Sequence, residues 1–203
     1  FFFLLTTYGL GAFFVRGEPF IIKIAVGLAA IPVIGTFLNL LHVPLDWRIF
    51  LGLALIAPFQ HILRRLRREA APQPPPSFPS WHTIALLVVF VFAVILFCWG
   101  SFQYPWLEND DPWAHAAGIQ YIALEKNLNA PPATFQYLNP YPPAYDLLFG
   151  LLYQTNTSLY WTLKFFNGFI ISLGFLFFYY FVKEFAHDKN KAVFATFFLL
   201  IIP

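Results

Sequence analysis

Long apolar runs separated by short charged or proline-containing turns dominate this chain. A helix rises about 1.5 Å per residue, so about 20 apolar residues cross a hydrocarbon core of about 30 Å. Apolar runs, some of them cut short by the ends of the chain, occupy residues 1–15, 20–43, 45–63, 82–100, 159–182 and 192–203. The pattern predicts an all-α, polytopic membrane protein with about six transmembrane segments.

The long segment between the fourth and fifth runs is expected to contain two helices that do not cross. Asp111 followed by Pro112 is typical of a helix N-terminus, with Asp111 as N-cap, so the first helix is expected over residues 112–126. The second helix follows Pro142 and Pro143, carries the sequence YDLLFGLLYQ, and is too short to cross.

A proline-rich segment, residues 70–80, divides the chain. It holds five prolines in eleven residues, which favours an extended linker over a helix. We therefore expect three parts: N-terminal transmembrane segments of unassigned role at 1–69, a cytoplasmic linker at 70–80, and the beginning of a second membrane domain at 81–203. The chain begins and ends within apolar runs, so it is expected to be an internal fragment.

The basic residues predict the topology. Four arginines within residues 64–68 are typical of the cytoplasmic end of a span, although such a run also suits anionic lipid headgroups. Arg48, Lys126 and Lys164 fall on the opposite side. Nine cations share the arginine-rich side: Arg16, Lys23, Arg64, Arg65, Arg67, Arg68, Lys183, Lys189 and Lys191. The loop after the fourth run is therefore expected to be extracytoplasmic, in a prokaryotic plasma membrane.

Composition supports a membrane protein and narrows the chemistry. Of the 203 residues 59% are hydrophobic and 11% are charged, against about a quarter charged in soluble domains. Cys98 is the single cysteine and lies within an apolar run, which excludes a disulfide framework and a cysteine metal site within this sequence. Membrane lipids are expected partners, and nucleic acid is not.

Three acids gather at the start of the first loop helix: Glu108, Asp110 and Asp111. Carboxylates this close repel one another when they are partly desolvated, and a bound cation, a shared proton or water relieves the repulsion. Oxygen ligands suit Mg²⁺ or Mn²⁺. The alternative is a solvated acidic helix cap, which needs no ligand.

His115 lies four residues after Asp111, so both side chains share one helical face. The pair is predicted to bind a metal or relay a proton. The alternative is an interfacial histidine that makes one hydrogen bond.

Lys164, Trp113 and Tyr141 are candidate substrate-binding residues. Lys164 lies one turn inside an apolar run, where a lysine either pairs with an anion such as a lipid phosphate or snorkels to the interface. Tyr141 belongs to the segment YLNPYPPAY, which suits the wall of a sugar site but also a generic tyrosine belt. Trp113 belongs to an apolar stripe of the first loop helix.

Three motifs carry a resemblance to a known family: Glu108-Asn-Asp-Asp111-Pro112-Trp113, Gln120-Tyr121-Ile122 and Tyr141-Pro142-Pro143 before an apolar helix. Together they resemble the first external loop of the catalytic subunit of oligosaccharyltransferases, of the GT-C class of membrane glycosyltransferases. The resemblance covers residues 81–203. It implies that Asp111 binds a divalent metal and that His115 matches a histidine of archaeal members. Ala117 stands where eukaryotic members carry an arginine.

The resemblance implies transfer of a sugar or oligosaccharide from a polyprenyl-(pyro)phosphate donor to a protein or lipid acceptor on the extracytoplasmic side. In that interpretation Asp111, Asp110 and Glu108 are catalytic, and Asp111 and His115 hold Mg²⁺ or Mn²⁺. Lys164, Tyr141 and Trp113 bind substrate. Two alternatives are a transporter or channel subunit with an external acidic cation-entry site, and a non-catalytic scaffold. The apolar runs contain almost no acids to continue a cation pathway.

Overall fold

The computed structural model describes residues 1–67, 79–107, 110–131, 138 and 143–202, with the backbone alone at 61 and 64–67. These residues form helices and no strand, which confirms the all-α class. The helices are α1 (Phe2–Phe14), α2 (Phe20–Leu40), α3 (Trp47–Arg67), α4 (Trp81–Phe102), α5 (Asp110–Glu125), α6 (Ala144–Asn156), α7 (Leu159–Ala186) and α8 (Lys189–Ile201).

Within the described residues, three helices are long and apolar enough to cross a membrane, namely α2, α4 and α7. The predicted segments 1–15 and 192–203 form helices of 13 residues each, or about 20 Å. Helix α3 has 21 residues, and it includes the shorter apolar stretch Trp47–Gln60. The chain is therefore membrane-associated, and three of the six predicted segments satisfy the criteria for a full span.

The chain divides into two compact units. The first contains Phe1–Arg68 and Trp106–Leu163, and the second contains Glu69–Pro105 and Lys164–Pro203. Helix α6 packs against α1, α2 and α3, and α5 packs against α6, so the first unit includes sequence from both sides of the proline-rich segment.

Small residues bring the first three helices of the first unit together. A Cβ on Gly11 of α1 would overlap the backbone carbonyl of Lys23, and one on Gly27 of α2 would overlap that of Thr7. Such close approach of backbones is typical of helix pairs in membranes, where glycine replaces bulk at the interface. Helices α1 and α2 are consequently antiparallel neighbours.

A polar network ties the turn between α2 and α3 to the ends of α5 and α6. The backbone N–H of Leu45 donates to the carbonyl of Lys126 at 2.7 Å, and Lys126 Nζ lies 2.5 Å from Asp46 Oδ2. Gln154 of α6 donates to the Leu45 carbonyl at 2.8 Å and accepts from the Trp47 N–H at 3.0 Å. These bonds satisfy backbone groups that the turn leaves unpaired.

The second unit is built from α4, α8 and α7 from Lys164 onward. Val89 and Ala93 of α4 form a buried cluster with Phe175 of α7. His82 at the start of α4 lies 3.0 Å from Asn190 Oδ1 at the start of α8, which joins these two helix ends.

Candidate functional site

The acidic end of α5 begins the candidate site. The helix starts at Asp110, two residues before the predicted start, so Asp111 belongs to the first turn and is not its N-cap. Asp110 and Asp111 are both exposed. Carboxylates in a first turn interact favourably with the positive end of the helix dipole, and Pro112 has no N–H to leave unpaired there. The local sequence therefore stabilises this helix start.

Helices α5 and α6 pack side by side in parallel. Near their starts, His115 contacts Asp146. Further along, Gly150 lies against Ile122, where an added Cβ would approach the Ile122 Cγ2 atom to 2.9 Å. Because the two helices run in the same direction, their positive ends lie at the same end of the pair.

The hydrogen bond between His115 and Asp146 is the centre of the site. His115 Nδ1 lies 2.7 Å from Asp146 Oδ1. The Asp146 side chain is 1% exposed, whereas that of His115 is 30% exposed. Asp146 Oδ2 is also buried and has no hydrogen-bond partner among the described residues. A buried carboxylate thus holds an imidazole that remains accessible.

Burial controls the protonation of Asp146. It raises the pKa of this carboxyl from 3.8 to about 6, although the hydrogen bond and charge of His115 act in the opposite direction. Above about pH 6, Asp146 is ionised and its Oδ1 accepts a hydrogen bond from Nδ1–H of His115. With Nδ1 bonded to Asp146, metal binding or proton transfer at this imidazole would involve Nε2.

Tyr145 forms a wall beside the imidazole. Its ring lies 5.0 Å from that of His115 in an edge-to-face arrangement and stacks on Phe149 at 4.3 Å. Burial, and secondarily the charge of Asp146, raise the pKa of Tyr145 above its usual value, so its hydroxyl stays protonated. The Tyr145 ring therefore restricts the orientation of His115 by packing against it.

The structure brings together part of the predicted set. Asp110, Asp111, Trp113 and His115 lie in the first half of α5, with Trp113 52% exposed. Glu108 and Tyr141 lie outside the described residues.

Lys164 belongs to the second unit. It is 4% exposed, and its Nζ donates to the carbonyl oxygens of Ser101 and Tyr104 at 2.7 and 2.5 Å. The Phe102 ring centroid lies 5.9 Å away. The ammonium therefore stabilises the C-terminal end of α4, a role that sequence reasoning did not predict.

Asp146 is the functional residue that sequence reasoning missed. No role was assigned to this residue from the sequence. A usable signal was present, because Asp146 is the single charged residue between Pro143 and Asn156, in an otherwise largely apolar helix. Ionisable side chains in such surroundings have partners or functions more often than solvated ones do.

The same geometry bears on the predicted metal site. Among the described residues, no group of three or more His, Cys, Asp or Glu side chains gathers at one point. Asp111 and His115 are four residues apart on α5, and Asp146 holds His115 as carboxylates commonly hold metal-binding histidines. Mg²⁺ is often bound by one or two carboxylates with phosphate and water completing its shell. A two-ligand site is compatible with that chemistry, and the metal stays a prediction.

Comparison of the chain with protein-family models, with curated proteins and with solved structures gave no match.

Proposed function

We propose that this chain is part of a GT-C-type membrane glycosyltransferase that uses a polyprenyl-(pyro)phosphate-linked sugar or oligosaccharide. The acceptor is a protein or lipid on the extracytoplasmic side. One observation carries the proposal: an accessible imidazole is held at 2.7 Å by a buried carboxylate, one helical turn from Asp111.

The roles follow from this geometry. Transfer from a lipid phosphate requires an acceptor nucleophile to attack the anomeric carbon while negative charge develops on the departing phosphate. Asp110 or Asp111, exposed at the start of α5, takes or polarises the acceptor proton. Glu108 is assigned to the same acidic group from its place in the sequence.

A divalent cation would be held by Asp111 and by Nε2 of His115. When bound, it supplies a positive charge that stabilises the leaving phosphate. Asp146 is a positioning residue, because it orients the imidazole through Nδ1 and has no direct role in bond breaking. Trp113 and Tyr141 are assigned to the wall of the sugar site.

Transfer of radiolabelled sugar from a polyprenyl-linked donor tests the proposal, with the protein reconstituted in liposomes. Asp111→Asn and His115→Ala are expected to lower the transfer rate at least about 100-fold, since each removes a group that acts in the transition state. Glu125→Gln, at the other end of the same helix, is the matched control and is expected to retain the rate. Full activity of Asp111→Asn would refute the assignment.

Cation flux across the same liposomes separates the enzyme from a transporter. If the chain is part of a glycosyltransferase, we expect no cation flux that depends on Asp110 and Asp111. A flux lost in Asp110→Asn/Asp111→Asn, without any transfer activity, would favour the acidic entry site of a transporter or channel subunit.

A further inference from the structure

A cleft lies between α1, α2 and α3, at the end of these helices where α1 leads into α2. Its volume is about 320 Å³, which is at the lower end of the range for small-ligand sites. Among the described residues, the cations Arg16 and Lys23 line it. The remaining lining residues are Tyr8, Ala12, Phe13, Ala57, Pro58, Gln60 and Ile62.

The polar part of the cleft suits a phosphate. Arg16 supplies a planar guanidinium, which pairs with two phosphate oxygens at once, and Lys23 supplies a compact charge. Lys23 Nζ lies 5.7 Å from the ring centroid of Tyr8, and Tyr8 stacks on Phe20 at 5.2 Å. The ammonium is therefore positioned before any anion binds. Glu18, the acid of the same turn, does not line the cleft.

The apolar part of the cleft distinguishes a lipid from a soluble phosphate. Phe13 and Ile62 line it and are 46% and 55% exposed, and α2, which supplies Lys23, is a candidate membrane span. An acyl chain that continues from a phosphate headgroup would lie along these exposed side chains, whereas free phosphate would leave them uncovered.

We propose that this cleft binds the phosphate headgroup of an anionic glycerophospholipid, with Arg16 and Lys23 as its ligands. The site is independent of the glycosyltransferase proposal, because its described lining residues all lie in α1, α2, α3 or the turn between α1 and α2. Basic residues near a membrane surface attract anionic lipids in general, whereas this cleft would bind one headgroup at a defined place.

Native mass spectrometry of the chain, released from detergent after titration with phosphatidylglycerol or phosphatidylcholine, tests the site. A phosphatidylglycerol adduct is expected to persist on the unmodified protein. The double variant Arg16→Gln/Lys23→Gln is expected to weaken that adduct at least about tenfold, since two charge-assisted contacts are lost. Arg48→Gln, an exposed cation at the opposite end of α3, is the matched control and should bind normally. An adduct unchanged in the double variant overturns the proposal.

Two further measurements locate the site and identify the source of the phosphate. Ala57→Trp keeps both cations but fills the cleft, so it is expected to lose the adduct; normal binding would place the lipid elsewhere and overturn the proposal. If Ala57→Trp does not fold, the comparison of Arg16→Gln/Lys23→Gln with Arg48→Gln tests the proposal. Glycerol 1-phosphate at the lipid's concentration should fail to displace phosphatidylglycerol. Equal competition would overturn the lipid assignment in favour of a soluble phosphate.

Discussion

Gly118 of α5 lies directly against the carboxylate of Asp146 of α6. A Cβ at position 118 would stand 2.5 Å from Asp146 Oδ2 and 3.2 Å from Leu138 Cγ. Contacts under 3 Å require something to move, so the absence of a side chain at this position makes room for the buried acid. The glycine thereby determines whether Asp146 can reach His115.

Gly118→Ala should destabilise the first unit although alanine is the better helix former. The methyl group displaces Asp146 or its neighbours, and we expect a loss of about 1–3 kcal/mol in the free energy of unfolding, typical of overpacking. Chemical denaturation in detergent measures it. Gly52→Ala is the control, because nothing lies within 4 Å of its added Cβ. The control should be neutral or gain up to about 1 kcal/mol from helix propensity. Equal stability of both variants would contradict the close contact.

Asp146→Asn should change how stability depends on pH. The folded pKa of about 6 lies above the unfolded value of 3.8, so between these values the folded state binds more protons and stability falls as pH rises. The shift of about two units corresponds to about 3 kcal/mol, at most, by which the ionised acid destabilises the fold at pH 7. Asparagine removes this contribution and can still accept the bond from Nδ1–H.

Denaturation of wild type and Asp146→Asn at pH 4.5, 5.5 and 7.5, in the presence of EDTA, checks this expectation. The difference between the two proteins cancels the contributions of other carboxylates. As pH rises from 3.8 to about 6, the free energy of unfolding of the variant should increase relative to that of wild type. The difference should then remain constant at higher pH. A difference that does not vary with pH would show that Asp146 is not the buried acid described.

The apolar pattern predicts where the helices lie in the sequence far better than it predicts which helices pack together. Helix α4 was expected over residues 82–100 and runs Trp81–Phe102; α7 was expected over 159–182 and continues to Ala186. Helix α7 extends past the apolar run because Lys183 and Glu184, which follow it, are good helix formers. The turn before α8 consequently shrinks to two residues around His187, whose φ is 51°.

The centre of the site depends on packing that no local pattern specifies. His115 and Asp146 are 31 positions apart, and the sequence offered Asp111 as the nearest acid. The choice between them depends on α6 lying parallel to α5, which requires small residues such as Gly118 and Gly150 at the contact. Helical spacing identified the histidine, whereas only the tertiary contact identified its carboxylate partner.

The ion pair between Asp46 and Lys126 should contribute measurably, and the one between Asp46 and Arg48 should not. Burial acts to raise the pKa of Asp46, but the hydrogen bonds from Lys126 and from the Arg48 N–H, with both charges, lower it overall. Asp46 therefore contributes stability that is present above pH 3.8 and is lost as pH falls through its lowered pKa. A double-mutant cycle of Asp46→Asn with Lys126→Met should give a coupling of about 0.5–1 kcal/mol.

The same cycle with Arg48→Gln is the control for that ion pair. Arg48 Nη1 lies 3.9 Å from Asp46 Oδ2, and its side chain is 74% exposed, so water screens the interaction. We expect a coupling of less than about 0.3 kcal/mol. Couplings of equal size would contradict the difference in burial.

Lys164 should stabilise the end of α4 whatever its role toward substrate. Lys164→Met keeps the length of the side chain but leaves the carbonyls of Ser101 and Tyr104 without their donor, so we expect a loss of about 1–3 kcal/mol. Lys164→Arg should recover part of it, because a guanidinium also donates. Lys191→Met, at an exposed position of α8, is the control and should change stability by less than about 0.5 kcal/mol. Thermal unfolding in detergent measures all three variants, and an unchanged Tm in Lys164→Met would contradict this role.

The transfer assay separates this structural role from the predicted contact between Lys164 and the donor phosphate. A purely structural lysine affects only the amount of folded enzyme, so an increase in KM for the donor in Lys164→Met would support the contact with phosphate.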